Sequence, residues 1–246
     1  MTDTLSPASG IGAAAPKGLA ARMAGVIFSP GDTFPAIVAQ PRVLGVLAIT
    51  TILMAAAVFG FLSTDVGMNA SLDQQMRMME SFRFNFPDEF YDQMEARAPM
   101  ARYYAAGGIL VTSPLICAVV AGIIILIFNV VLGGEATFKQ AFAIVAHSQV
   151  LLVVQQFFIL PLNYVRETMS SATTLSVFAP MLDEMSFLGR LLGWIDLFWV
   201  WWIVNLAIGA AVLYKRKSAP IAWSLLGVYL VFALIIAAAL TAFAGA

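Results

Sequence analysis

Five side chains in this sequence carry chemistry into otherwise apolar surroundings: Gln140, His147, Gln155, Asp196 and Asn205. His147 is the only histidine of the chain. A histidine and a carboxylate set among apolar residues are the parts of a proton or cation relay, because each can exchange a proton or hold an ion where lipid can do neither. The plainer role is polar glue, in which such groups hydrogen-bond between helices for about 1 kcal/mol each. His147 reads first as glue. For Asp196 the two roles stand level, since an anion costs more to bury, and Trp194 and Trp199 also place it beside an interfacial aromatic belt.

The element that must position His147 begins at a polar turn. Gly133 and Gly134 interrupt an apolar run, Thr137 is a helix cap, and Gln140 three residues later completes a capping-box pattern. The following helix, predicted over residues 138–161, is about 34 Å long at 1.5 Å per residue. That exceeds a hydrocarbon core of about 30 Å. Gln140, Ile144, His147, Leu151 and Gln155 fall on one face of it. A polar stripe on a spanning helix is expected to face other helices, because lipid leaves it unsatisfied.

Composition agrees with a membrane setting. Hydrophobic residues make up 61% and charged residues 11% of the 246, against about 45–50% and 25% in soluble domains. The class read from this is an all-α, polytopic transmembrane bundle. A net charge of −1 argues against nucleic-acid binding through a basic field. The single cysteine, Cys117, lies in an apolar run and reads as a small buried hydrophobe.

In order along the chain, residues 1–21 read as a disordered cytoplasmic tail, without the apolar core of a signal peptide. Residues 22–42 read as an interfacial amphipathic segment, in which Ser29-Pro30-Gly31-Asp32 is a helix-start signal. Residues 43–246 then form a five-span membrane domain, with spans near 43–62, 103–132, 138–161, 191–214 and 220–243. The loop 63–102 is extramembrane and acidic, with amphipathic helices expected near 71–82 and 87–97. Pro114 is expected to bend the second span, and Ala118 with Gly122 to offer a small-residue contact. The polar loop 163–190 precedes the fourth span, and Lys215-Arg216-Lys217 forms a tight basic turn before the fifth.

Five spans put the termini on opposite sides. Lys17, Arg22, Arg42, Lys139, Lys215, Arg216 and Lys217 lie on one side; Arg77, Arg83, Arg97, Arg102, Arg166 and Arg190 lie on the other. The basic turn at Lys215 decides the nearly even count, and the expected amino terminus is cytoplasmic. At 1.5 Å per residue, Gln155 and Asp196 lie about 9 Å from the outer ends of their spans, His147 and Asn205 about 21–22 Å. Two pairings follow: Asp196 with Gln155 or Gln156, and His147 with Asn205. Asp196 and Asn205 lie about 180° apart around a continuous helix, so at most one pairing is expected.

Other chemistry has weaker support. Met68, Met76, Met78, Met79 and Met94 are soft ligands for Cu(I), but methionines on an amphipathic helix first make an apolar face. Ser148 neighbours His147 in sequence, and the two point about 100° apart, which disfavours a hydrolytic pair. Gly133-Gly134 lacks the GxxxxGK[ST] pattern of a phosphate loop. The tryptophans of the fourth span read as belt and packing residues. No catalytic, metal or cofactor site is expected.

Two stretches taken together carry a resemblance. Phe28-Ser29-Pro30 with Thr33-Phe34 precedes the first span, and Gly133-Gly134 with Thr137-Phe138-Lys139-Gln140 and Ser148 opens the third. These resemble the "FSP-x-x-TF" and "G-x-x-TFKQ" followed by Ser in the bacterial branch of the Yip-domain membrane proteins. The resemblance implies a five-span domain with a cytoplasmic amino terminus. Eukaryotic members of that family bind Rab-type GTPases and vesicle-coat partners. This chain lacks their long amino-terminal region and their DLYGP-like sequence, so GTPase binding is not carried over, and the resemblance supplies no catalytic residue.

The sequence therefore points to a non-enzymatic inner-membrane protein that organises the bilayer or binds a partner. One alternative is a small transporter or channel with its path near His147 and Asp196. Another is an accessory subunit of a larger membrane complex, and a homo-oligomer is also consistent with the small-residue faces.

Overall fold

A computed structural model describes residues 18–81, 86–131 and 133–243. Among them, five helices are long and apolar enough to cross a membrane. Residues 1–17 of the expected tail, with Phe82 and Arg83 of the first loop, lie outside the described residues. Residues 19–21, expected to end that tail, instead form the first turn of a helix.

Two short helices come first, α1 (Leu19–Phe28) and α2 (Pro30–Ala39). Pro30 occupies the first position of α2, where its missing N–H has no partner to lose. Ser29 stands at the cap, but its hydroxyl makes no capping bond. The two helices close on Gly25, where any Cβ would strike the Thr33 side chain. Val26, Thr33, Phe34 and Ile37 are fully buried. The segment expected at the membrane surface thus turns one face into the bundle, against α7 and α10, because those four side chains find cover only there.

The first span is α3 (Leu44–Leu62). The loop that follows carries α4 (Asp65–Ser81) and α5 (Asp88–Arg97), so the first of the two helices starts six residues earlier than its apolar pattern suggests. The second span, α6 (Ala101–Ile125), continues as a π-helical turn, Leu126–Val131. Gly122 in α6 has nothing within 4 Å of the position of a Cβ among the described residues, so the small-residue contact expected with Ala118 is not made among them. The strongest partner of α6 is α3, where Thr51 and Ser113 meet at 3.2 Å.

The third span is α7 (Phe138–Ser148) and α8 (Val150–Arg166), joined through Gln149. It runs past Pro161, where it was expected to stop, and ends at Glu167 in the left-handed conformation. The fourth span is shorter than expected. Residues 187–194 form a separate helix, α9 (Phe187–Trp194), and α10 (Leu197–Tyr214) begins only after Asp196. The backbone at Asp196 is extended, with φ −103° and ψ 134°, because its side chain caps the new helix. A three-residue turn at Lys215 leads into α11 (Ser218–Phe243).

The third span is the centre of this bundle. Of its most apolar stretch 67% is buried, against 33% for α3, 22% for the second span, 44% for α10 and 11% for α11. Ile144, His147 and Leu151 are fully buried and Gln155 is 7% exposed, so the polar stripe turns toward neighbouring helices. Broad apolar faces of α6 and α11, including Val111, Val119, Trp223 and Val228, point outward. Below, the near face is the one where α3, α7 and α11 begin, and the far face is the opposite one.

Candidate functional site

The two motif stretches, about 100 residues apart in sequence, meet near the near face. Asn129, in the π-helical turn, donates from Nδ2 to the Ala136 carbonyl (2.7 Å) and accepts from the Ala136 N–H (3.3 Å). The Tyr214 hydroxyl donates to the same Asn129 Oδ1 at 2.8 Å. Gly133 takes φ +70°, the left-handed conformation that ends the helix, and Gly134 lies against the Tyr214 ring. Thr137 and Gln140 form the capping box: the Gln140 N–H donates to Thr137 Oγ1 (3.3 Å), and the Thr137 N–H donates to Gln140 Oε1 (3.0 Å). The other end of the Gln140 amide reaches Val38 of α2, donating to its carbonyl at 3.4 Å.

Phe34 sits between α7 and α10. It abuts the position of a Gly209 Cβ at 3.2–3.3 Å, and Ile144 approaches that position from the other side. Phe28, Phe138 and Lys139 are exposed. Of the motif residues, then, Thr33, Phe34 and Gln140 join the seam between the hairpin and the third span. Gly133, Gly134 and Thr137 shape the turn that starts that span.

His147 is fully buried and its Nδ1 donates to the Ala143 carbonyl of its own helix at 2.8 Å. A carbonyl only accepts, so Nδ1 carries the proton. His147 Nε2 has no partner among the described residues. Asn205, 1% exposed, donates from Nδ2 to the Val26 carbonyl at the end of α1 (3.1 Å). His147 and Asn205 therefore do not bond to each other; α1 takes the Asn205 amide instead.

Gln149, off the polar stripe, forms the polar centre of the bundle. Its Oε1 accepts from Ser113 of α6 (3.2 Å) and Thr50 of α3 (3.4 Å). Its Nε2 donates to the Ser113 carbonyl at 3.5 Å. One amide at the joint of α7 and α8 thereby ties three spans together.

Asp196 belongs to the far face. Its Oδ1 accepts from the Phe198 and Trp199 N–H groups (2.8 and 3.4 Å), and its Oδ2 accepts from the Thr173 and Ser171 hydroxyls (2.6 and 2.9 Å). Its own N–H donates to the Tyr229 hydroxyl, which in turn donates to the Trp194 carbonyl at 2.6 Å. A carboxylate has about four lone-pair sites, and here all four are taken. An anion is also favoured at a helix N-terminus by the peptide dipoles. Gln155 and Gln156 line the same recess as Asp196, but among the described residues neither amide bonds to it. The expected pairing is displaced by the hydroxyls of the 171–173 loop.

Two open recesses flank this cap. One, of about 520 Å³, lies between α3, α8, α10 and α11 and is lined by Asn163, Asp196, Trp199 and Tyr229 among others. The other, of about 640 Å³, is formed chiefly by the loop 169–193 and includes Arg166 and Arg190. Among the described residues, no three His, Cys, Asp or Glu side chains are grouped to hold a metal ion. Met68 and Met94 line one recess between α4, α5 and α6, while Met78 is 57% exposed. Ser148 is buried, and among the described residues its hydroxyl has no partner and makes no bond to His147.

The family model of the Yip1 domain matches residues 24–240, which include both motif stretches and all five spans. The chain belongs to the Yip1 domain family. No curated protein and no solved structure is significantly similar to it.

Within this Yip1 domain, Thr33 and Phe34 are buried and Thr137 and Gln140 form a helix cap, while Phe28, Phe138 and Lys139 are exposed. Sequence reasoning missed Gln149 because it lies off the stripe and no partner was visible for it. It also missed the cap role of Asp196, although an Asp directly before an apolar helical run is a start signal.

Proposed function

We propose that this multi-pass Yip1-domain protein is non-enzymatic and acts by binding partners or organising the bilayer. The observation that carries the reading is the bonding of Asp196. Its four hydrogen bonds fasten a loop to the start of α10, which supports a structural role for it. His147 Nδ1 is likewise turned to its own helix, and no hydrogen bond joins the two groups among the described residues. The proposed setting is an inner membrane, with the amino terminus and the Lys215 turn cytoplasmic and α4 and α5 on the outer side, where they would bear on lipid.

The experiment compares wild type, Asp196→Asn and His147→Leu in reconstituted vesicles, with proton and alkali-cation flux as the readout. The scaffold reading expects no protein-dependent flux from any of them, and damage instead from deletion of residues 71–97. Flux in wild type that vanishes in Asp196→Asn at an unchanged folded amount would establish the transporter in its place.

A further inference from the structure

A third recess opens at the near face, away from Asp196. Its volume is about 180 Å³, and its lining is Leu19, Arg22, Arg42, Gly45 and His147. At about 30 Å³ per water it holds roughly six waters. That is below the size of drug-binding pockets, which start near 300 Å³, and it suits one small polar group.

Two arginines line the recess. Arg42 is exposed at its mouth, and Arg22, 3% exposed, lies inside, donating to the Gln40 carbonyl at 2.9 Å. Burial, and after it the neighbouring Arg42, lower the pKa of Arg22. Two helices also begin at this recess, α1 at Leu19 and α3 at Leu44, and neither has a side-chain cap. Their starts are adjacent, since the position of a Gly45 Cβ lies 3.1 Å from Leu19 Cδ2. The positive end of the peptide dipoles favours an anion at each.

His147 adds an independent pointer to a ligand. It is fully buried, it lines this recess, and its Nε2 lacks a partner among the described residues. With the proton on Nδ1, that nitrogen is an acceptor for a hydroxyl of the ligand. A group that combines negative oxygens for the guanidinium with a hydroxyl for the imidazole is a phosphate monoester or hydrogen phosphate.

We infer that the recess between α1, α3 and α7 is a binding site for a phosphate group, with Arg42 and His147 as its contacts. Arg22 and the two helix starts supply the surrounding positive potential. The inference is independent of the scaffold reading, since a transporter would also present such a site. The phosphate can come from a lipid headgroup at the membrane surface or from a soluble ion, because both offer the same oxygens.

The full chain in nonionic micelles distinguishes these sources. One arm titrates inorganic phosphate and the other phosphatidic acid in mixed micelles, each read by the rise in unfolding temperature that binding to the folded state produces. Arg42→Gln removes an exposed charge and leaves the core intact. It is expected to weaken binding about tenfold or more, the value of one charge-assisted bond. His147→Gln is expected to weaken it as well, while Arg77→Gln on α4 leaves it unchanged. Binding in the lipid arm alone assigns a headgroup, and binding in both assigns a phosphate ion site. Absence of binding in both arms, or equal affinity of Arg42→Gln and wild type, overturns the inference.

Discussion

The two ends of this bundle are built by different rules. Toward the near face, residues 141–151 of the third span are buried almost without a break, and α1, α2 and α10 close around them. Toward the far face the helices part, two recesses of about 520 and 640 Å³ open, and a loop held by Asp196 replaces helix packing. The near end is specified by shape: Phe34 under Gly209, and Thr33 against Gly25. The far end is specified by hydrogen bonds that gather Ser171, Thr173 and Tyr229 around Asp196. The motif residues gather in the dense end. A motif of this kind preserves a helix seam, and its presence alone is no sign of chemistry.

The contrast is broken most severely by emptying the seam. Phe34→Ala removes a fully buried ring and is expected to destabilise the bundle by about 3–5 kcal/mol, read by unfolding in detergent. A comparable loss from an apolar truncation in the far recess, such as Ile159→Val, would erase the distinction; about 1 kcal/mol is expected there.

Asp196→Ala comes next. It removes the cap of α10 and leaves two hydroxyls without their acceptor. A loss of about 2 kcal/mol is expected, with faster hydrogen exchange confined to residues 171–175 and 196–199. Asp196→Asn, which still caps, is expected to lose about 1 kcal/mol or less. Exchange spreading into residues 141–151 would show that the two ends are one cooperative unit.

Thr137→Ala sharpens the comparison at the near face. One half of the capping box goes, for about 1 kcal/mol, and protection of the first turn of α7 falls while Gln149 stays protected. The smallest effect belongs to α5, where Gln93 is exposed. Gln93→Ala is expected within about 0.5 kcal/mol of wild type; a larger change would mean that the first loop is packed more firmly than its exposure indicates.

Much of this architecture is legible in the residues. The five apolar runs, the Thr137–Gln140 box and the tight Lys215 turn depend on local patterns, and the inward stripe follows from lipid being unable to satisfy Gln and His. What is illegible is non-local. No periodicity links Gln140 to Val38, or Asn205 to Val26, because each bond joins a side chain to a distant backbone carbonyl. The Asp196 misreading has a different cause. The span expected over 191–214 is apolar on both sides of Asp196, and the competition of its carboxylate for the next N–H groups interrupts the helix.

The central claim is that the third span lies inside the bundle with its polar edge covered by protein. Labelling of the wild-type chain in a bilayer with a lipid-soluble carbene precursor, read peptide by peptide by mass spectrometry, tests it most directly. Heavy labelling is expected over residues 111–131 and 223–243, with residues 141–153 nearly unlabelled. Labelling of 141–153 as strong as that of 223–243 would contradict the claim.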